Sequence, residues 1–239
     1  MTTINSISIF FPCYNDKGTV EKLLNDSVAT INKLGVEDYE IIFIDDGSTD
    51  GARELLASLQ GRTPNFKVIL HEKNFGYGRV LRSGFAAASK EWIFYSDGDA
   101  QYDVKELPLL ISALEEGVDF VSGYKMKRND SLSRIILGKV YQWGIKIIFM
   151  LKIRDVDCNF RLIRKYKMDQ ITLRSDSGSV CLELVKKLQN AKAIMRQVPV
   201  HHYSRIYGHS QFFNIKRINT MVITLFKLWW PLVILKKTK

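Results

Sequence analysis

Cysteine is scarce in this chain: Cys13, Cys158 and Cys181 are the three in 239 residues, and no two stand at CxxC spacing. That excludes a disulfide framework and a thiolate zinc site, and it suits a reducing compartment. The opening segment MTTINSISIFFPCYND has neither a basic leader nor a long apolar run behind one. It reads as a short strand entered almost at once, and the chain is expected not to be exported. Acidic residues are missing from Leu184 onward, where eleven Lys or Arg fall, whereas residues 1–183 hold 24 basic against 25 acidic side chains. The net charge of +10 is therefore a basic tail on a neutral body. It points to an anionic partner, either nucleic acid or an anionic membrane surface.

What is present is a core. Hydrophobic residues make up 46% of the sequence, enough for one main domain with at most an appendage. Runs of β-branched and aromatic residues recur as SISIFFP, YEIIFID, FKVILH, EWIFYS, VDFVSGY and AIMRQVPV. They are mostly too continuous in apolarity for a sheet wet on one face. Helical patterns separate the first five. TVEKLLNDSVATINKL places Val20, Leu23, Leu24, Val28 and Ile31 on one side, and GARELLASLQ follows the cap residues Ser48, Thr49 and Asp50. GRVLRSGFAAASK carries Val80, Leu81 and Phe85 together, and VKELPLLISALEEG stops at a glycine. Strands alternating with helices predict an α/β fold, a mostly parallel sheet with helices on both faces. Ligands of such sheets sit outside the carboxyl ends of the strands.

Polar residues occupy those ends. PCYND, DDGSTDG, EKNFGYGR and SDGDAQ follow the first four strands in turn. Each alone is ordinary turn chemistry; four in succession mark a site. Asp97 and Asp99, with Gly98 between them, reach one hard cation once the strand opens into a loop, and Gln101 adds an amide oxygen. Magnesium or manganese takes few carboxylates and completes its octahedron with water and substrate phosphate. GYGR is neither GxxxxGK[ST] nor a complete GxGxxG, because the third glycine would fall at Leu81. Gly76 and Gly78 allow close backbone passage. Arg79 or Arg82 offers charge to a phosphate, the alternative for either being a solvated helix face.

The order and spacing of PCYND, IIFIDDGSTDG, NFGYGRVLRSGF and YSDGDAQYD resemble family 2 glycosyltransferases. The similar branch is that of dolichyl-phosphate mannose synthase and bacterial polyprenyl-phosphate sugar transferases. The likeness continues through DFVSGYKMKRNDSLSR, IRDVDCNFRLIRK and VPVHHYSRIYGHSQ, over about residues 6–212. It implies a glycosyltransferase-A fold and a nucleotide-diphospho-sugar donor, UDP- or GDP-linked. By the same resemblance Pro12, Tyr14 and Asp16 hold the nucleoside, Asp16 replacing the more usual Glu. Asp46 contacts the base with Asp45 in support, and Asp97, Asp99 and Gln101 form the diphosphate site for Mg2+ or Mn2+. Tyr77 departs from the pattern, since many relatives have Lys between the two glycines. That moves the expected diphosphate contact to Arg79 or Arg82. Inversion by single displacement, through an oxocarbenium-like state, is likewise what the resemblance implies.

A phosphate acceptor has a second pKa of about 6 and is largely dianionic at neutral pH, so it needs cations rather than a general base. YKMKRNDSLSR supplies Lys125, Lys127, Arg128 and Arg134, and SRIYGHS supplies Arg205. In the resembling family Lys125 falls where arginine is common, and Arg134 matches a basic residue facing acceptor phosphate. Should a base be required, Asp155, Asp157 and Glu183 are the nominated carboxylates, with helix-end or salt-bridge roles as the alternative. His201, His202 and His209 lack ligand spacing and read as closing-loop residues.

The segment NIKRINTMVITLFKLWWPLVILKKTK separates the two anionic partners. Arg217, Thr220, Thr224 and Lys227 form a polar stripe on an otherwise apolar helix that ends in tryptophans and lysines. Its apolar stretch after Lys227 falls short of the roughly 20 residues a span requires. It is expected to lie in the membrane interface. IILGKVYQWGIKIIFMLK, residues 135–152, is a second such helix, with Lys139, Gln142 and Lys146 on one side. The competing account packs one or both helices on the body or on another copy of the chain. Nucleic acid is the weaker partner, since the charges alternate with large aliphatics rather than with stacking aromatics.

The expectation is a catalytic domain over residues 1–212 followed by an amphipathic segment over 213–239. Its reaction would be inverting, metal-dependent transfer of a sugar to a polyprenyl phosphate on the cytoplasmic face of the cell membrane. Transfer to a sugar hydroxyl of a growing glycan is the nearest alternative, and a non-catalytic nucleotide-sugar-binding scaffold the further one.

Overall fold

A computed structural model describes residues 4–126, 142–207 and 224–239. Seven strands form one sheet: β1 Ser6–Cys13, β2 Asp38–Asp45, β3 Phe66–Leu70, β4 Trp92–Tyr95, β5 Phe120–Lys125, β6 Arg161–Arg164 and β7 Met195–Val200. Their order is β3-β2-β1-β4-β6-β5-β7. All run parallel except β6, which pairs antiparallel with β4 and β5. The six expected strands are present, and β6 is the addition. Its four residues, RLIR, have arginines at both ends and too short an apolar run to stand out. Arg161 is nonetheless fully buried, donating to the Tyr95 hydroxyl at 2.9 Å and to the Val156 carbonyl at 2.6 Å.

The helices are α1 Lys17–Leu34, α2 Ala52–Gln60, α3 Tyr77–Ala87, α4 Leu107–Ser112, α5 over 142–148, α6 Lys165–Met168 and α7 Val180–Asn190. Period-two alternation along the central strands divides them between two layers. Ile7, Ile9, Phe11, Ile41, Phe43, Trp92 and Phe94 enter one core with Val20 and Leu23 of α1 and Leu56 of α2. Phe10, Ile42, Ile44, Ile93 and Tyr95 enter the other, with Val80, Leu81 and Phe85 of α3, Ile145 of α5 and Leu184 of α7. Continuous apolarity in the strands is thus the consequence of two covered faces. Asp50 ties α1 to α2, accepting from the Lys17 and Ala52 amides at 2.9 and 3.1 Å. It satisfies a free N–H at the start of each helix.

Reversal of β6 has a functional result. The carboxyl ends of the six parallel strands and the amino end of β6 all open on one edge, where Tyr95 stands opposite Arg161 and Arg161 opposite Ser122. The 155–160 loop therefore meets the loop after β4, through Asn159 and Asp97, and the end of β5, through Asp157 and Lys125.

The described part of the tail, helical over 224–229 and continuing as Trp230–Ile234, packs on the body. Leu232 and Val233 are buried in the second core, and Asn190 at the end of α7 donates to the Leu232 carbonyl at 2.9 Å. These residues therefore pack on the body in part, while Phe226, Trp230, Ile234 and Leu235 stay exposed. Residues 135–141 of the other amphipathic stretch lie outside the described residues.

At the amino end of β2, away from the site edge, Glu40 is buried and heavily bonded. It accepts from Ser8 Oγ at 2.6 Å, from Lys67 Nζ at 2.6 Å, and from the amide and hydroxyl of Ser89 at 2.7 and 2.9 Å. Burial opposes its ionisation, but Lys67, Ser8 and Ser89 outweigh burial and hold the carboxyl down to about 2. A depressed carboxyl stabilises the fold above its unfolded pKa and loses that contribution as pH falls through the folded one. Glu40→Gln should therefore cost roughly 2 kcal/mol at pH 7, the deficit shrinking as pH drops from 4.5 towards 2. Urea unfolding across that range measures it; a pH-independent deficit would contradict the assignment.

Candidate active site

The loop after β4 carries Asp97, Gly98 and Asp99, and it passes hard against the β1 end. A Cβ on Gly98 would stand 1.9 Å from the Pro12 carbonyl oxygen, so only glycine fits. Thr19 of α1 donates its hydroxyl to the Gly98 carbonyl at 2.6 Å. This crossing brings Asp16, from the β1–α1 loop, beside the two carboxylates of the β4 loop. Tyr14 is half-buried in the same loop.

Each acid has a different set of neighbours. Asp97 accepts from the Tyr77 hydroxyl at 2.5 Å and from Asn159 Nδ2 at 3.2 and 3.3 Å. Asn159 is itself held by Cys181 Sγ. Asp99 accepts from Arg205 Nη2 at 2.5 Å and from the Gln101 amide at 3.1 Å, and Asp16 receives the other arm of Arg205 at 3.3 Å. Gln101 donates its side-chain amide to the Tyr203 carbonyl at 2.9 Å. On the far side Asp155 accepts from Gln142 Nε2 at 2.8 Å and from the Asp157 amide at 3.1 Å. The Lys125 ammonium lies 3.4 Å from the Asp157 carbonyl oxygen.

Negative charge is in excess here: Asp16, Asp97, Asp99, Asp155 and Asp157 face the cations Lys125 and Arg205. Burial pushes the Asp97 carboxyl up to about 6, the Asp99 charge adds to it, and Tyr77, Asn159 and Lys125 offset part. Burial likewise raises Asp16 to about 6, Arg205 pulling it down and Asp99 pushing it up. Asp157 is raised by burial and by Asp155. Among the described residues no three acidic, histidine or cysteine side chains converge as a preformed cage. Magnesium or manganese does not need one, since substrate phosphate and water fill most of its positions. The hard oxygen donors of Asp97, Asp99 and Gln101 suit such an ion. That Asp99 already draws in a guanidinium shows the charge it lacks.

Several expected residues serve elsewhere. Asp46 is engaged in holding the chain. It accepts from His71 Nδ1 at 2.7 Å and from the amides of Phe75 and Gly76 at 3.0 and 2.9 Å, shaping the β3–α3 loop. Asp45, fully buried, takes the amides of Gly47 and Ser48 and Arg53 Nη1, leaving its Oδ1 without a partner. Gly76, at φ +98°, lets the chain pass where a Cβ would meet the Asp176 carbonyl oxygen at 2.6 Å. Arg79 is exposed on the first turn of α3. Arg82 is turned away, paired with Asp176 and the Arg174 carbonyl. Glu183 is sealed, accepting from the amides of Arg174 and Ser175 and from Lys187 at 3.0 Å. It holds a loop and does not face the acid cluster. Arg205, expected among the acceptor cations, bridges Asp16 and Asp99 instead. Arg128 and Arg134, like Lys127 and His209, lie outside the described residues.

Sequence reasoning did not single out Asn159, His71 or Tyr203. His71 ends the run FKVILH, so reading every strand-end residue would have found it, whereas Asn159, inside DVDCNFR, precedes the strand that the sequence did not reveal. His71 spans Asp46 and Ser83, its Nε2 lying 2.9 Å from Ser83 Oγ. Tyr203 has no such signal; its backbone bonds to Gln101 across 102 residues.

A mixed α/β sheet delivering carboxylates to one edge has the architecture of a glycosyltransferase-A-like sugar transferase. The chain belongs to glycosyl transferase family 2, whose model matches residues 8–182, and is accordingly an enzyme of sugar transfer. It is 29% identical over 219 residues to the undecaprenyl-phosphate 4-deoxy-4-formamido-L-arabinose transferases of Salmonella paratyphi A and Salmonella dublin. The match covers 91% of this chain and 66% of theirs, so the chain spans slightly under two thirds of their length. Its fold is similar to that of glucosyl-3-phosphoglycerate synthase from Mycobacterium tuberculosis. In that enzyme's complex with Mn2+, UDP and glucosyl-3-phosphoglycerate the TM-score is 0.71 at 16% identity, covering 96% of this chain and 80% of that one. In its complex with Mg2+ and UDP the values are 0.70, 17%, 96% and 79%.

The raised Asp97 carboxyl makes the site a measurable burden on the fold. It binds its proton more tightly folded than unfolded, so stability falls as pH rises from 3.8 to about 6 and stays lowered above. Asp97→Asn should be about 1 kcal/mol more stable than wild type at pH 7.5, after allowance for solvent at this partly exposed group. The gain should fade towards pH 4. Urea unfolding at both pH values tests this; a variant less stable at pH 7.5 would refute it.

Proposed function

We propose that this enzyme moves a sugar, with inversion, from a nucleotide-diphospho-sugar to a polyprenyl phosphate at a membrane surface. The observation that carries the lipid acceptor is what the described part of α5 exposes beside the acid cluster. Gln142 bonds to Asp155 on the rim of that cluster, and Trp143, Ile147, Ile148 and Met150 stand exposed nearby in the chain. Trp229 donates to the Ile148 carbonyl at 3.0 Å, so the C-terminal segment extends the same face with exposed Phe226, Trp230, Ile234 and Leu235. Lysines 146, 152, 227, 236 and 237 flank it. An apolar surface of this extent with a basic rim suits an anionic lipid interface. No helix among the described residues is long and apolar enough to cross a membrane. The similarity to undecaprenyl-phosphate transferases points the same way.

Donor binding falls to the β1 and β4 loops. Pro12, Tyr14 and Asp16 would line the nucleoside side, and Asp97, Asp99 and Gln101 would hold Mg2+ or Mn2+. The ion would supply Lewis-acid neutralisation of the departing nucleoside diphosphate. Tyr77 and Asn159 fix the Asp97 carboxylate from behind. The acceptor phosphate oxygen attacks the anomeric carbon on the face opposite the diphosphate, the new C–O bond forming as the old one breaks. No proton needs removal from a dianionic acceptor. Lys125, Arg205 and the basic residues beyond Met126 attract it. The elevated Asp157 carboxyl, beside Asp155 and Lys125, favours a second reading in which the acceptor is a sugar hydroxyl and Asp157 or Asp155 takes its proton.

Incubation with a panel of UDP- and GDP-sugars, a polyprenyl phosphate and Mn2+ should yield an acid-labile lipid-linked sugar. An acid-stable glycoside formed on a glycan acceptor alone would move the assignment to the second reading. Asp99→Ala should lower turnover at least about 100-fold, and unchanged turnover would remove Asp99 from the site. Replacing exposed Trp143, Phe226 and Trp230 together by Ser should release the chain from vesicles of anionic phospholipid while leaving its melting temperature near wild type. Undiminished co-sedimentation would refute the lipid-facing surface.

A further inference from the structure

The segment after β7 lies as a strap over the site edge. The His201 amide and ring bond to Glu106 at 2.9 and 2.5 Å, and the Tyr203 amide and carbonyl pair with Gln101 at 2.8 and 2.9 Å. Its far end sets the Tyr207 ring on the first turn of α1, where a Cβ on Gly18 would come within 2.5 Å of the ring. Between these anchors Arg205 reaches inward, one arm on Asp99 and the other on Asp16. The two carboxylates are nearly enclosed, at 9% and 12% side-chain exposure, while the arginine keeps 26%.

One monovalent guanidinium therefore serves two acids from different loops and offsets half of their charge. The Asp99 oxygen that it occupies is the one nearest to it, and a divalent ion on the same carboxylate would meet like charge at contact distance, a repulsion strong in a partly dry site. Withdrawal of the arginine alone would leave two enclosed carboxylates without a facing cation, which is strongly unfavourable. Its departure is favourable only when another cation arrives. A released guanidinium is a planar fork matched to phosphate oxygens.

We propose that Arg205 is a built-in stand-in cation, exchanged against the divalent ion when the donor binds and thereby freed for the acceptor anion. The exchange imposes an order: metal and donor first, acceptor second. Until then the Arg205 charge is spent on Asp16 and Asp99 and is not offered to an acceptor phosphate. This inference rests on the metal reading above and adds the competition.

Mn2+ titration of the full chain without nucleotide, followed by the electron paramagnetic resonance of free Mn2+, tests it. Arg205→Gln should bind Mn2+ about five- to tenfold more tightly than wild type, because the competitor is gone. Arg205→Lys, which keeps the charge, should stay within about twofold of wild type. Asp99→Ala should lose the site. Equal or weaker binding by a folded Arg205→Gln, as judged by its melting curve, overturns the exchange while leaving the metal reading intact. If Arg205→Gln does not fold, Arg205→Lys decides: affinity raised beyond twofold overturns the competition by charge. Wild-type affinity in Asp99→Ala would instead overturn the metal reading.

Discussion

Enclosing several carboxylates at one edge of a sheet is the constraint on which the rest of this structure depends. Like charges at short range, partly stripped of water, hold only if cations or fixed donors face them. The chain meets that requirement locally at each acid. Tyr77 and Asn159 fix Asp97, the Gln101 amide and Arg205 hold Asp99, and Gln142 with the Asp157 amide holds Asp155. The arrangement remains short of positive charge, and that shortage is what makes it suited to a metal–diphosphate ligand.

The architecture serves the same end. Covered faces make the central strands rigid, and parallel running collects their carboxyl ends in one place. Reversal of β6 adds the 155–160 loop to that edge, supplying Asn159 and the Asp155–Asp157 pair from a segment far along the chain. Buried Arg161, bonded to Tyr95, fastens the reversed strand to the one that carries Asp97 and Asp99. A polar residue inside the core thus has a positional role, because its bonds are satisfied only in this register.

Beside the acid cluster α5 joins chemistry to surface. Gln142 touches the cluster, Ile145 and the following Phe149 enter the core, and the remaining apolar residues face outward beside the docked C-terminal segment. Apolar residues on two sides of one helix are accounted for by two environments, the protein core on one side and, on the function proposed above, a lipid interface on the other.

The α/β fold and the strand-end loops were legible in the sequence because both follow from local pattern: continuous apolar runs, helical periodicity, and turn residues after each strand. Asp16, Asp97, Asp99 and Gln101 could be assigned to one edge for that reason alone. Only tertiary structure decided which polar side chains face that edge and which are consumed in holding it. Asp46 and Glu183 look like site acids in sequence, yet backbone amides of distant loops fill their lone pairs. Arg161 hid a strand because its burial depends on a hydroxyl 66 residues away. Arg205 pairs with acids more than 100 residues earlier, an attraction set by distance in space, which charge spacing along a chain does not encode.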